Sequence, residues 1–381
     1  MKVGFNARLL HDASLRGWNR YTVNLLRELA YLGVQLFLYS DRPLDDGHLS
    51  QLPTDSYQVR IAPPMSYIWW EQYWLPRQCD RDRVDILHCP FNFGLPWFSS
   101  CPRVLTLHDA IDHIYYDRDR SWQEKLNLSY LQNKLYHWIA RKRADLVITV
   151  SEYSKLDLIE YLGIPATKIA ITYEAADRNF HQPIADLYRS QIQTKYQLSF
   201  PYIFYIGGWE SRKNIPFLLR AFAEANLTDV QLVLAGGKTE QKEALLQLAE
   251  SLAIGDRVRL LGWVEDEDLP ALYANALCFV YPSEYEGFGL QLCEAMAVGC
   301  PVLAADRTCL PEVLGDGGEV FSLSDTTELV NLLQRLGRDE SYYHHLVKRS
   351  QQRDRDFDWS KTAKQTQLLY RRKFCGSDRE L

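Results

Sequence analysis

Short, almost wholly apolar runs alternate along the chain with longer stretches whose apolar positions recur every three or four residues. "KVGFNARLL" opens the series, followed by a polar loop and the amphipathic "YTVNLLRELAYLG", which Gly33 ends. "VQLFLYS", "VDILHCP", "RVLTLHD" and "DLVITVS" continue it. A second series runs through "YIFYIGG", "VQLVLAGG", "RVRLLGWV", "ALCFVYPS" and "CPVLAAD". Strands that are apolar throughout are buried on both faces, and their separation by helices predicts parallel α/β sheets. A polar stretch near 176–200 divides the two series. The predicted architecture is therefore two doubly wound domains, 1–185 and 186–358, with a last helical segment that begins at Trp359 and is free to pack on either.

Composition narrows this picture little. A chain of 381 residues exceeds one ordinary core, which agrees with two domains. No apolar run approaches the roughly 18–20 residues of a membrane span. The opening "MKVGFNARLLHDASLRG" lacks the apolar stretch of a signal peptide, so the expected location is the cytoplasm. Eight cysteines are scattered without a C-x-x-C pair, as reduced thiols would be. The net charge is −6: residues 1–185 carry 21 basic and 21 acidic groups, and 186–381 carry 22 and 28. An acidic chain without a basic stripe argues against nucleic acid as a partner.

The chemistry concentrates in "SEYEGFGLQLCEAMAVG", residues 283–299. A strand precedes it, and a helix closed by Gly299 follows. Gly287 and Gly289 fall in the connecting turn, where missing side chains admit a ligand to the backbone. The amides of Phe288, Gly289 and Leu290 lie at the positive end of the helix dipole and suit a phosphate. Glu286, just outside, would repel phosphate but accept from sugar hydroxyls. Glu294, about one turn inside, presents two oxygens that match the vicinal diol of a ribose. A sugar, a phosphate bridge and a ribose in a row describe a nucleotide sugar. Taken alone, Glu286 could instead cap its helix, and Glu294 could be an ordinary exposed residue.

The surrounding residues resemble a known family. E-G-F-G-L-x-x-x-E, from Glu286 to Glu294, is similar to the E-x7-E signature of retaining glycosyltransferase family 4, and the likeness runs through residues 282–318. "GWNRYTVNLLREL", "TLHDAID", "LVITVSEYSKLDLI", "YIGGWESRKN" and "LGWVEDEDLPALYANA" resemble further segments of that family, in the family's order. The resemblance implies a GT-B fold, two Rossmann-like domains facing across a cleft, with the acceptor on the N-terminal side and the donor on the C-terminal side. It also implies that the final helix, 359–381, packs back on the N-terminal domain.

The same resemblance implies roles for particular residues. Glu294 would hold the ribose; Phe288, Gly289 and Leu290 would bind phosphate and sugar through their amides; Glu286 would lie against the transferred sugar. Arg212 and Lys213 would neutralise the diphosphate, stabilising the charge that grows as the nucleotide leaves. His108 would reach the donor sugar near the reacting carbon, with Asp109 orienting it or capping the next segment, while His88 is read as structural. Gly17 would approach the donor phosphate, and Trp263 and Val264 the nucleotide base. Two departures stand out: Gly208 occupies a place where many members have arginine, and Asn19 replaces a second glycine. The implied reaction is retaining transfer of a hexosyl group, with mannosyl donors such as GDP-mannose the first expectation, no metal or other cofactor, and a glycan or lipid-linked acceptor. A sugar-nucleotide isomerase or hydrolase of the same shape, and a non-catalytic binding subunit, are the competing readings.

Other signals are weaker. The D-x-D pairs Asp80/Asp82, Asp117/Asp119 and Asp354/Asp356 lie among arginines and read as solvated charge rather than a metal site. "AGGKT" (235–239) ends like a P-loop, but Leu232 stands where the earlier glycine belongs. The aromatic "YIWWEQYWLP" (67–76) reads first as packing. Two other readings stay open: a sugar-stacking acceptor wall, or a membrane-surface contact that would put the chain peripherally at the inner membrane face. The basic end of "WQEKLNLSYLQNKLYHWIARKR" suits either anionic lipid or a helix C-terminus.

Overall fold

A computed structural model of the chain describes residues 1–13, 17–116, 128–199, 201–237 and 239–375. The chain divides into two compact units, unit 1 of Met1–Glu174 with Asp358–Leu381 and unit 2 of Ala175–Phe357. The division therefore falls after Glu174 and not after residue 185. The strand series of unit 1 ends at Ile171, and Phe180, 2% exposed, packs its ring on Tyr273 of unit 2.

Unit 1 is built on seven parallel strands: β1 (Lys2–Asn6), β2 (Gln35–Ser40), β3 (Tyr57–Ile61), β4 (Ile86–Cys89), β5 (Arg103–Thr106), β6 (Leu146–Thr149) and β7 (Ile169–Ile171). Their order across the sheet is β3-β2-β1-β4-β5-β6-β7. The helices that bear on function are α1 (Gly17–Tyr31), α2 (Leu75–Asp82) and α3 (Leu128–Arg143). Unit 2 has β8 (Tyr202–Gly207), β9 (Gln231–Gly236), β10 (Val258–Gly262), β11 (Cys278–Tyr281), β12 (Val302–Ala305) and β13 (Glu319–Phe321), in the order β10-β9-β8-β11-β12-β13. Its α4 (Ile215–Ala225) follows β8 and its α5 (Leu290–Ala297) follows β11. Each sheet thus runs outward from its first strand in both directions, the 3-2-1-4-5-6 winding of a Rossmann domain, with β7 added in unit 1.

The central strands are buried on both faces, as their continuous apolar sequence requires: β4, β6, β11 and β12 have no exposed residue. The last helix, α6 (Trp359–Tyr370), belongs to unit 1 and packs along α1. Trp359 stands edge-on to Tyr21, with ring centroids 5.7 Å apart, and Gln367 Nε2 donates to the Leu32 carbonyl at 3.3 Å. Tyr370, fully buried, meets His88 Nδ1 at 2.6 Å, while His88 Nε2 lies 2.8 Å from Thr106 Oγ1. Burial, and to a smaller degree His108, pushes the His88 imidazole down to about 3, so it serves this network neutral. His88 is a structural pin between the sheet and α6.

One helix boundary differs from the sequence reading. α1 begins at Gly17, whose φ is +20°, so Asn19 is a buried helical residue and needs no positive φ. Residues 117–127 lie outside the described residues, so neither the N-terminal part of the predicted segment 122–143 nor the Asp117/Asp119 pair carries a structural statement. Lys238 and residues 376–381 are likewise outside the described residues.

Candidate active site

In an open sheet wound this way, ligands meet the carboxyl ends of the strands where the order reverses. In unit 2 that point lies between β8 and β11, which pair side by side. The loop after β8 carries Gly208 to Asn214, and the loop after β11 carries Pro282 to Gly289. Two hydrogen bonds hold the loops together: Glu284 N donates to the Arg212 carbonyl at 2.7 Å, and Ser283 Oγ does so at 3.3 Å.

Into this junction project Arg212, Lys213 and Glu286. Glu286 Oε1 accepts from Arg212 Nη1 at 3.0 Å, from Lys213 Nζ at 2.5 Å and from Ser283 Oγ. Lys213, 5% exposed, also donates to Tyr281 Oη at 2.8 Å, and Arg212 Nη1 reaches the Tyr285 carbonyl at 3.1 Å. The backbone of Glu286 is fixed as well, its amide donating to Thr308 Oγ1 and its carbonyl accepting from Cys309 Sγ. Burial alone would raise the Glu286 carboxyl, but the two cations outweigh it and hold the group below the ordinary carboxylate range. Burial pushes the Lys213 ammonium down, with Glu286 opposing. The sequence reading set Glu286 against the sugar and the two cations against the diphosphate. The structure joins the three in one cluster, in which Lys213 is buried and Arg212 and Glu286 are partly so, and among the described residues the Glu286 carboxylate caps no helix.

The following turn builds the anion-binding end of α5. Gly289 is its N-cap at φ +87°, and a Cβ there would stand 2.9 Å from Leu310 Cδ2, so only glycine fits without strain. Among the described residues no group accepts from the Gly289 or Leu290 amide, as expected for the first amides of a helix. Phe288 is buried against Phe357 at 5.9 Å between ring centroids. Glu294 is 3% exposed and accepts from Tyr273 Oη at 2.9 Å, which removes the alternative of an ordinary exposed helix position.

A Cβ on Gly208 would lie 2.0 Å from Glu210 Oε2, the end of a flexible side chain that would turn aside to admit it. Tyr205 Oη donates to the Gly208 carbonyl at 2.7 Å and fixes the turn. Val264, 4% exposed, lies just beyond β10 at the sheet edge, beside the half-exposed Trp263. Among the described residues no hydrogen bond or ring contact joins Val264 to the Glu286 cluster.

In unit 1 His108 follows β5. Its Nδ1 lies 3.0 Å from Glu174 Oε1 and its Nε2 lies 3.1 Å from the Pro90 carbonyl, while its amide donates to Asn92 Oδ1 at 2.9 Å. Both ring nitrogens thus face oxygen acceptors, which fix the plane of the ring. The ring is held edge-on to Tyr21 at 4.7 Å and beside Trp18 at 6.2 Å, which brings the start of α1, and with it Gly17, next to His108. Asp109 Oδ1 accepts from the Ile111 amide and so caps the following turn.

Sequence reasoning missed Glu174, Asn92, Ser283, Tyr281 and Tyr273, each of which holds a predicted residue in place. Ser283 and Tyr273 lay inside quoted motifs and Tyr281 inside a quoted strand, none of them marked for a role, while Glu174 and Asn92 lay in none. The D-x-D carboxylates pair with neighbours: Asp80 accepts from Ser100, Asp82 from Arg60 and Gln78, while Asp354 meets His181 and Asp356 meets Arg353.

Comparison with known proteins agrees with this geometry. Residues 15–180 match the family described as Glycosyltransferase Family 4, and residues 190–353 match Glycosyl transferases group 1. O-antigen chain mannosyltransferase B of Escherichia coli is 34% identical over 76% of this chain and 75% of its own length. The serotype-specific mannosyltransferase WbdA of Escherichia coli is 30% identical over 71% of this chain, which spans 33% of that longer protein. Among solved structures, sucrose-phosphate synthase from Thermosynechococcus elongatus superimposes with a TM-score of 0.76 at 21% identity, over 99% of this chain and all of that one. From the twin Rossmann-type sheets, the E-x7-E turn at the switch point of the second and these likenesses, it follows that the chain belongs to glycosyltransferase family 4 and transfers a sugar from a nucleotide sugar.

Proposed function

We propose that the chain transfers a mannosyl group from GDP-mannose, with retention of anomeric configuration, to a glycan or lipid-linked acceptor in polysaccharide assembly. The mannosyl donor follows the names of the two relatives described above, both mannosyltransferases. The single observation that carries the reading is the pairing of Arg212 and Lys213 with Glu286 beside the open amides of Gly289 and Leu290. Two cations and a helix N-terminus suit a diphosphate, and a carboxylate beside them suits sugar hydroxyls.

In this reading Arg212, Lys213 and the α5 amides take the diphosphate, Glu294 the ribose, and Val264 the base through its backbone. As the bond from the anomeric carbon to the diphosphate oxygen breaks, charge develops on that oxygen, where fixed cations stabilise the transition state more than the bound ground state. The acceptor hydroxyl attacks from the same face and gives its proton to the departing phosphate. Glu286 and His108 position the sugar and stabilise charge rather than form a covalent intermediate, and Gly17 lets the α1 end approach the phosphate. No metal takes part, so a chelator should leave turnover unchanged. A lipid-linked acceptor would be met by peripheral contact with a membrane; no described helix is long and apolar enough to cross one.

The test is a thermal-shift screen with GDP, UDP, ADP and their sugar conjugates, followed by transfer assays on the conjugate that binds. A ligand at 100 times its Kd adds about 2.7 kcal/mol, a shift of several degrees. Stabilisation by GDP and GDP-mannose, lost in Glu294→Gln, is the expected result. A shift with UDP alone would replace the donor, and turnover of donor without acceptor would favour an isomerase or hydrolase.

A further inference from the structure

Helix α3 turns an apolar stripe toward water. Leu131, Leu135 and Trp138, spaced four and three residues apart, share one face and are 49%, 50% and 47% exposed. Its other side already supplies the core, through the buried Ile139 and Ala140. A surface helix of a globular protein keeps its outward face polar, and this one does not. Its charges have one sign: Lys134, Arg141, Lys142 and Arg143, with no Asp or Glu in the helix.

The stripe continues into neighbouring exposed aromatic groups. Trp138 stacks on Trp97 with centroids 4.7 Å apart, the Arg143 guanidinium lies 3.9 Å over the same indole, and the adjacent Phe98 is 71% exposed. Trp97 N donates to Gln72 Oε1 at 2.7 Å, which ties this loop to the helical run leading into α2. That run buries Trp70 but leaves Trp69 63% exposed and Tyr73 46% exposed, with the Arg77 guanidinium 3.4 Å over the Tyr73 ring.

We infer that this face of unit 1, centred on Leu131, Leu135 and Trp138 and rimmed by Arg141 and Lys142, is the surface that rests on an anionic lipid bilayer. Apolar and aromatic side chains enter the headgroup boundary, while the cations meet lipid phosphates. Charge decides the occupant. A second copy seated on the same face would set cation against cation, whereas anionic headgroups neutralise them. The inference rests on the peripheral membrane contact proposed above and assigns it to residues.

The experiment is flotation of the full chain with vesicles of phosphatidylcholine alone and of phosphatidylcholine with phosphatidylglycerol, without any sugar nucleotide. The wild type should float with the anionic vesicles, less so as salt rises, and not with the neutral ones. Leu131→Glu with Leu135→Glu should weaken partitioning at least about tenfold. Arg141→Glu with Lys142→Glu should do likewise. Both sites are exposed, so thermal unfolding should match the wild type. Wild-type protein that floats with neither vesicle would overturn the membrane contact itself. Equal flotation of wild type and both variants would leave that contact standing and overturn its assignment to this face. Wild-type dimers in light scattering that the leucine variant abolishes, without flotation, would give the face to a second copy and overturn the lipid assignment.

Discussion

One oxygen of Glu286 accepts from a guanidinium, an ammonium and a hydroxyl, and the two cations are those proposed above to take the diphosphate. The carboxylate is their counter-ion, and under that proposal it gives up part of the pairing when a diphosphate binds. Glu286→Gln should therefore tighten the binding of the nucleoside diphosphate by about tenfold, on the scale of one charge-assisted hydrogen bond. It should also lower turnover by about 10²-fold or more if, as proposed, the carboxylate positions the reacting sugar. Calorimetric titration and initial rates separate the two effects; a Glu286 that served only sugar hydroxyls would leave diphosphate affinity unchanged. The same residue sets a pH dependence. Its carboxyl is held below the ordinary 4.5, so it contributes stability above that value that is lost as pH falls through the lower, folded one. Glu286→Gln should flatten the acid limb of a plot of Tm against pH.

The elements explain both what the sequence revealed and what it hid. All the central strands were legible because burial on two faces makes them uniformly apolar. Three of the four sheet-edge strands, β3, β7 and β13, were not, because each is only partly covered: β3 has no buried residue, and β7 and β13 have one each. The turn before α5 was legible from its glycines, and Gly289 shows why. Gly289→Ala would force a left-handed Cβ against Leu310, at a cost of about 1–2 kcal/mol from backbone strain alone. Denaturant titration should show that loss, together with weaker nucleoside diphosphate binding as the Leu290 amide shifts. The partners of the site residues stayed hidden for another reason. Glu174 and Asn92 meet His108 only through the fold, at separations of 66 and 16 residues that no local pattern encodes.

Over the whole molecule, two sheets share one winding order, yet only unit 2 is continuous in sequence. Unit 1 is closed by α6, through Trp359 on Tyr21 and Tyr370 on His88. Trp359→Ala should cost about 3–5 kcal/mol, as for other buried tryptophans. Scanning calorimetry should resolve that loss in unit 1 while the transition of unit 2, the one the proposed donor site would let nucleoside diphosphate stabilise, keeps its temperature. The same connectivity bears on how the protein is made. The ribosome releases residues 1–174 first, but the helix that covers Tyr21 and His88 comes last. At about 5–20 residues per second, translating 175–357 takes roughly ten to forty seconds. Throughout that interval unit 2 can complete itself as it emerges, while the older half of the chain waits with its α1 surface bare for chaperones to shield.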